Sequence, residues 1–237
     1  MARLTQPLTL KLLRAYSEAA LTNANELVQE ASLLYANGHL ARAYFLAVAA
    51  IEETGKGLLA FHARGRNLAD PAVSTALKRA MESHRDKIVA AFIGLLPVNL
   101  LSGEDNMSVV NSMIELISCR EPSMYTDINP DGSKIEIPSE RVRDAEAREC
   151  VRRATDCLAH ARNHVSKNMP KPRTRAMDQV LAMKDNEIRK ILETKGFWRY
   201  CNYIVQAESG RLDIWKAIIQ YRTKYFQKSK VDASDKT

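Results

Sequence analysis

The feature that most constrains the fold of this chain is an apolar stretch with two adjacent acidic residues at its centre. From Ala41 to Phe61 it reads ARAYFLAVAAIEETGKGLLAF, with apolar residues on every side of the helix that it would form. A helix that is apolar all round lies inside a protein, so we expect this one at the centre of a helical bundle. Glu52 and Glu53 interrupt it, and a buried carboxylate needs a partner for its charge. Lys56, one turn after Glu53, is the nearest counter-ion.

Apolar spacing and capping residues predict further helices around this stretch. Gly38 is a natural helix stop, Asp70 with Pro71 opens a helix, and Ser139 after Pro138 would cap one. The turn sequence NPDG, between the short runs MYTDI and KIEI, predicts a small hairpin or irregular excursion. The expected helices cover residues 8–37, 39–64, 71–97, 107–118 and 139–165, with two or three shorter ones between 174 and 227.

Charge separates the end of the chain from the rest. Residues 1–165 have a net charge of −1, whereas residues 166–230 have a net charge of +9 and many aromatic residues. We therefore predict an all-α protein with an up-and-down helical bundle over 8–165. A basic helical extension over 166–228, packed on or beside the bundle, and a disordered tail over 229–237 follow it. Basic and aromatic residues together are typical of nucleic-acid surfaces, but aromatics at helical spacing also form cores, so both interpretations stay open.

The sequence argues against a membrane protein and against a secreted one. It contains no uncharged apolar run of 18 residues and no N-terminal signal peptide, so we expect a cytoplasmic protein. Four cysteines in a chain of 237 residues do not form a disulfide framework, and we expect them to stay reduced.

We expect neither a metal ion nor a cofactor. A di-iron bundle needs a Glu-x-x-His pair on two helices, and no histidine of this chain has a glutamate three residues before it. Cys150, Cys157, His160 and His164 share one stripe of a helix. The first and last are 14 residues apart, about 21 Å along the axis, which is too far to surround one zinc ion.

Three segments, in this order, resemble the AbiV (abortive infection) family of the HEPN superfamily. They are NANELVQEASLLYANGHLARAYFLAVAAIEETGKGLLA, then SHRDK, then MYTDI before a long helix, and they cover roughly residues 20–165. The resemblance implies a HEPN-like bundle and a role in bacterial defence against phage. It also implies RNA or the translation machinery as the target, a homodimer, and a phage-encoded protein as the trigger.

The resemblance further implies a metal-independent ribonuclease motif, Arg-x4-6-His. Two pairs match it: Arg79 with His84, and Arg153 with His160. On an ideal helix Arg153 and His160 lie within about 20° of each other, and Arg79 and His84 about 140° apart. Such spacings also arise by chance, and alanine follows both arginines where active HEPN motifs commonly have a polar residue. The sequence leaves both pairs open.

The candidate catalytic residues are therefore His84 or His160 as the acid and base, with Arg79, Lys87 or Arg153 as phosphate ligands. Glu53 with Lys56 would orient the helix that carries the histidine or belong to the site. The leading interpretation is an anti-phage effector acting on RNA or translation, with endoribonuclease chemistry if it is an enzyme. The alternative is a non-catalytic dimeric module of the same fold that binds a protein or a nucleic acid.

Overall fold

The computed structural model describes residues 7–93, 116, 123–129, 131–207 and 213–226, and over these ranges the protein is all-α apart from one small hairpin. The described residues divide into two compact units. The first consists of those within 1–64 and 78–171, and the second of those within 65–77 and 172–237. Residues 65–77, which the sequence placed in the bundle, thus group with the C-terminal helices.

The first unit is built on two long antiparallel helices. Helix α1 spans Leu10–Ala36, and the Thr9 hydroxyl caps it by accepting a hydrogen bond from the Leu12 amide. Gly38 then adopts a φ of +77°, the left-handed conformation that ends helices, and α2 spans Leu40–Ala63. Both helices lie within two residues of their predicted bounds.

Helix α2 is the central helix of the first unit, as its apolar sequence predicted. It packs against α1 and against the helices His84–Ile93 and Asp144–Lys167, and its buried residues lie on every side. Gly57 allows α1 to approach: a Cβ there would come within 2.8 Å of the Leu21 side chain. At this crossing the Ser17 hydroxyl donates a hydrogen bond to the Gly57 carbonyl.

The predicted third helix is wrong in one respect, because it is two helices. Helix α3 spans Pro71–Glu82 and α4 spans His84–Ile93, with Ser83 between them. The Ser83 hydroxyl accepts a hydrogen bond from the Asp86 amide at 3.2 Å, which is the bond of an N-cap residue. This serine starts a new helix where the apolar pattern suggested a continuous one.

The predicted hairpin is present, and the helix after it begins later than expected. Strands β1 (Asp127–Ile128) and β2 (Ile135–Glu136) pair antiparallel. A single helical turn, α5 (Pro138–Arg141), follows, and the long helix α6 spans Asp144–Lys167. Ser139 therefore does not cap the long helix. Arg143 is the residue before this helix, and its backbone amide donates a hydrogen bond to the Glu146 carboxylate in the first turn.

The second unit has its own apolar core. Helices α7 (Arg175–Ala182), α8 (Asp185–Glu193), α9 (Lys195–Ala207) and α10 (Ile214–Tyr221) form it, and a π-helical turn, Arg222–Phe226, continues α10. The sequence predicted two or three helices in this region, and its described residues form four. The core includes Ile191, Phe197, Ile218 and Tyr221.

Two predictions fall on residues outside the described ranges: the helix over 107–118, of which only Leu116 is described, and the disordered tail over 229–237. Among the described helices, none combines the length and the apolar character that a membrane span requires.

Candidate active site

The two glutamates of α2 have different partners, and Glu52 is the one that meets the predicted histidine. Its Oε2 atom lies 2.7 Å from His84 Nδ1 and 2.8 Å from Lys87 Nζ. His84 and Lys87 are three residues apart on α4, so both face α2 from one helical turn. The imidazole and the ammonium group therefore contact the same carboxylate oxygen.

Gly55 makes this arrangement possible. A Cβ at position 55 would lie only 1.7 Å from the carbonyl oxygen of Lys87, so any side chain there would push α4 away. The absence of a side chain lets the backbone of α4 rest on α2 at the turn that carries Lys87. The glycine thus sets the distance between the carboxylate and its two partners.

The site is buried on the side of the carboxylate and the lysine. The side chains of Glu52 and Lys87 are 7% and 2% exposed. Burial by itself raises the pKa of the Glu52 carboxyl, but hydrogen bonds from Lys87 and His84 outweigh it and leave that pKa below its ordinary value. Glu52 is therefore ionised near neutral pH.

His84 is the member of the group that solvent reaches, because 45% of its side chain is exposed. A carboxylate accepts hydrogen bonds, so the contact with Glu52 places a proton on Nδ1. In the neutral ring, the lone pair then lies on Nε2, which can accept a proton from a substrate.

Lys87, one of the three predicted alternatives for a phosphate ligand, contacts the carboxylate of Glu52. Its side chain is buried and its Nζ binds Glu52, so the ammonium group neutralises the carboxylate and is not presented to a phosphate. Lys87 positions Glu52, and through it His84.

Glu53 and Lys56 form a separate pair. They make an ion pair within α2, as the sequence suggested, and both side chains are partly exposed. Burial raises the pKa of the nearby Tyr16 hydroxyl, and the charges of Lys56, Glu53 and Glu82 also act on it. Glu53 and Lys56 thus lie near Tyr16 of α1. His84, in contrast, contacts Glu52 and Lys87.

The two Arg-x4-6-His pairs lie in different surroundings. Arg79 is exposed near the end of α3, on the other side of the Ser83 break from His84. Arg153 forms an ion pair with Glu149, one turn towards the start of α6, whereas His160 lies two turns in the other direction. Its guanidinium group thus points away from His160.

His160 belongs to a group of rings at the ends of α2 and α6. It stacks on His164, whose ring lies 5.3 Å from the His62 ring and 5.5 Å from the Phe61 ring, centre to centre. Burial, followed by the charges of His160 and Lys171, lowers the pKa of His164. In the same helix, burial raises the pKa of the Cys157 thiol to about 12, so this cysteine is an inert core residue.

No three His, Cys, Asp or Glu side chains in the described ranges are arranged to hold a metal ion. The two cysteines and two histidines that share one stripe of α6 do not form one site. Cys150 and Cys157 are buried, and the rings of His160 and His164 stack on each other.

Glu52 is the site residue that sequence reasoning did not place. A signal was present in Gly55, which marks the side of α2 where another helix approaches. At about 100° per residue Glu52 lies about 60° from Gly55 around the helix, and Glu53 lies about 160° away. The glycine could thus have identified which carboxylate faces α4.

Comparison with known proteins supports the resemblance on which these expectations partly rest. No curated protein and no solved structure gives a significant match to the chain. The family model HEPN_AbiV, described as AbiV, matches residues 12–159. This range contains α1 without its first two residues, α2 to α4, the hairpin and most of α6, and thus every residue of the Glu52, His84 and Lys87 group. A match over more than half of the sequence establishes that the chain belongs to the AbiV (abortive infection) family of the HEPN superfamily.

Proposed function

We propose that this protein is an anti-phage effector that cleaves RNA without a metal ion and that His84 is its acid and base. The observation that carries the proposal is the 2.7 Å contact between Glu52 Oε2 and His84 Nδ1, on a histidine whose side chain is 45% exposed. A buried carboxylate that fixes the tautomer of a solvent-facing imidazole suits acid and base catalysis by histidine.

In the proposed reaction, His84 Nε2 takes the proton of an RNA 2′-hydroxyl and becomes an imidazolium. The 2′-oxygen attacks the adjacent phosphorus, the bond to the 5′-oxygen breaks, and the imidazolium gives its proton to that leaving oxygen. The products are a 2′,3′-cyclic phosphate and a 5′-hydroxyl end. Arg79 is the candidate to stabilise the charge on the phosphate, because it is exposed and lies five residues before His84.

The test compares cleavage of total RNA in EDTA by the wild type and by single variants. We expect His84→Ala to abolish cleavage, and Arg79→Ala to lower it by about a hundredfold or more. We expect His160→Ala and His39→Ala to retain cleavage. His39 is a matched control, because it is an exposed histidine that directly precedes the N-terminal end of α2. Loss of cleavage in His160→Ala alone would move the site to the ring group of α6.

Cleavage by no sample, wild type included, would favour the alternative function, a non-catalytic module that binds RNA or a protein. One observation favours this alternative. The second unit exposes Tyr203, Trp215 and Tyr225 on the basic part of the chain, and the Lys224 ammonium lies 5.2 Å from the centre of the Tyr225 ring. Exposed aromatics beside cations suit stacking on bases and contact with phosphates.

We propose further that the protein acts in the cytoplasm as a homodimer whose trigger is a phage-encoded protein. These proposals rest on the family. Light scattering of the purified protein measures the dimer, and a monomer at micromolar concentration would contradict it. Co-purification from infected and uninfected cells tests for the trigger.

A further inference from the structure

The second unit contains an open cavity of about 850 Å³ that the proposed ribonuclease chemistry does not use. Its volume lies within the range of small-molecule sites, about 300–1,000 Å³. The lining has two kinds of residue. Ala182, Met183 and Ile219 provide apolar surface, and Lys184, Lys190 and Arg222 provide positive charge.

Arg222 is held in place before any ligand arrives. Its Nε atom donates to Glu187 Oε1 at 2.7 Å, and its Nη2 atom is 3.3 Å from Glu187 Oε2. Nη1 makes no hydrogen bond to the described residues. A guanidinium group fixed on two of its nitrogens loses little freedom when the third binds an oxygen of a ligand.

The backbone is also unusual at this position. Arg222 and Thr223 are the first residues of the π-helical turn, and both line the cavity. Short π-helical segments within α-helices are frequent at functional sites. The Thr223 hydroxyl donates a hydrogen bond to the carbonyl of Ile219, one turn earlier in α10, and both residues line the cavity together with Arg222.

The charges of the lining favour an anion. Its two carboxylates are already engaged, because Glu187 pairs with Arg222 and Asp70 Oδ1 accepts a hydrogen bond from the Ala72 amide. Lys184 and Lys190 are exposed, and neither has an ion-pair partner in the described part of the chain. Two uncommitted ammonium groups and one guanidinium nitrogen thus face one cavity.

We propose that this cavity binds a nucleoside phosphate, with the phosphate at Lys184, Lys190 and Arg222 and the base on Met183 and Ile219. The cavity combines the two surfaces that such a ligand needs, a cationic wall and an apolar floor. The ligand is either a free nucleotide or the terminal nucleotide of an RNA strand, because both present this chemistry.

Isothermal titration calorimetry of the full chain tests the proposal with four probes: 5′-AMP, adenosine, inorganic phosphate and a 5′-phosphorylated RNA of five nucleotides. We expect saturable binding of 5′-AMP, and about tenfold weaker binding of adenosine and of phosphate, because each lacks half of the ligand. Competition between AMP and the RNA would show one shared site. Saturable binding of the RNA without binding of AMP would identify the strand end as the source. No saturable binding of either would overturn the proposal.

The variants Lys190→Gln and Lys184→Gln should each weaken binding by about tenfold. Lys216→Gln is the matched control, because Lys216 is an exposed lysine of α10 that does not line the cavity. Arg222→Gln alone would leave Glu187 unpaired, so the double variant Arg222→Gln with Glu187→Gln removes both charges of the pair. The proposal would be wrong if Lys216→Gln weakened binding as much as Lys190→Gln. None of these readouts depends on RNA cleavage.

Discussion

At the scale of single residues, the candidate active site depends on the balance of charge around one buried carboxylate. Glu52 is 7% exposed and tolerates burial because Lys87 and His84 donate to the same oxygen atom. Removing one partner of a buried ion pair costs more than removing both, since a lone charge remains without compensation. The free energy lost when the ion pair of Glu52 and Lys87 is broken can therefore be measured with single and double variants.

We expect Lys87→Met to lower the free energy of unfolding by about 3–5 kcal/mol, because it removes the buried ammonium group that compensates the Glu52 charge. The double variant Glu52→Gln with Lys87→Met should recover part of that loss, since neither charge is left. Urea denaturation of the wild type, both single variants and the double variant gives the coupling free energy. Additive effects of the two substitutions would contradict a direct ion pair.

The same group predicts how stability depends on pH. Because hydrogen bonds lower the pKa of Glu52 in the folded state, its contribution to stability is complete above the ordinary glutamate pKa of about 4.3 and falls as the pH drops through the lower, folded value. Urea denaturation from pH 6 to pH 3 should show a smaller loss of stability in Glu52→Gln than in the wild type. Parallel curves for the two proteins would disprove this contribution.

At the scale of helices, close approach to α2 depends on two glycines with different neighbours. A Cβ at Gly55 would overlap the backbone of Lys87 at 1.7 Å, whereas a Cβ at Gly57 would lie 2.8 Å from a side-chain atom of Leu21. A side chain can rotate away, but the backbone of a packed helix cannot do so without moving the whole helix.

We therefore expect Gly55→Ala to destabilise the first unit by about 3 kcal/mol, at the upper end for overpacking, and Gly57→Ala by less. Gly55→Ala should also separate His84 from Glu52, so the ribonuclease activity proposed above should fall even where the protein remains folded. Thermal unfolding and RNA cleavage measure the two effects. Equal losses of stability in the two variants would show that α4 moves away from the added methyl group as easily as the Leu21 side chain does.

The helices also show which features were readable from the sequence. Gly38 and the apolar pattern located α1 and α2 to within two residues, because both signals are local. The break at Ser83 was readable too, since Ser83 with Asp86 is the spacing of a capping box. The start of α6 was not, because arginine is not a typical capping residue and the hydrogen bond at this end runs from the Arg143 amide to Glu146.

At the scale of the whole molecule, each of the two units has an apolar core among its described residues. Ile51 lies in the core of the first unit and Phe197 in that of the second, and both are fully buried. The sequence predicted a boundary after residue 165, where the net charge changes. It did not anticipate that residues 65–77 group with the second unit, because that depends on long-range contacts such as the ion pair of Arg66 with Asp178.

We expect a substitution in one core to reduce the protection of backbone amides from hydrogen exchange in that unit only. Phe197→Ala, which costs about 3–5 kcal/mol, should speed amide hydrogen exchange in α9 and α10 and leave α1 and α2 protected. Ile51→Ala should have the opposite pattern. Hydrogen exchange followed by mass spectrometry resolves these segments. Loss of protection in both units from either variant would show that they unfold as one.

The shared oxygen of Glu52 has a consequence for how mutagenesis of this protein is interpreted. Lys87 and His84 both donate to Oε2 of Glu52, so a change to the lysine also disturbs the carboxylate that holds the imidazole in place. An inactive Lys87 variant is in effect also a His84 variant, although its histidine is intact. The pH dependence of cleavage separates the two effects: loss of a phosphate ligand lowers the rate at every pH, whereas a disturbed histidine moves the pH at which the rate is highest.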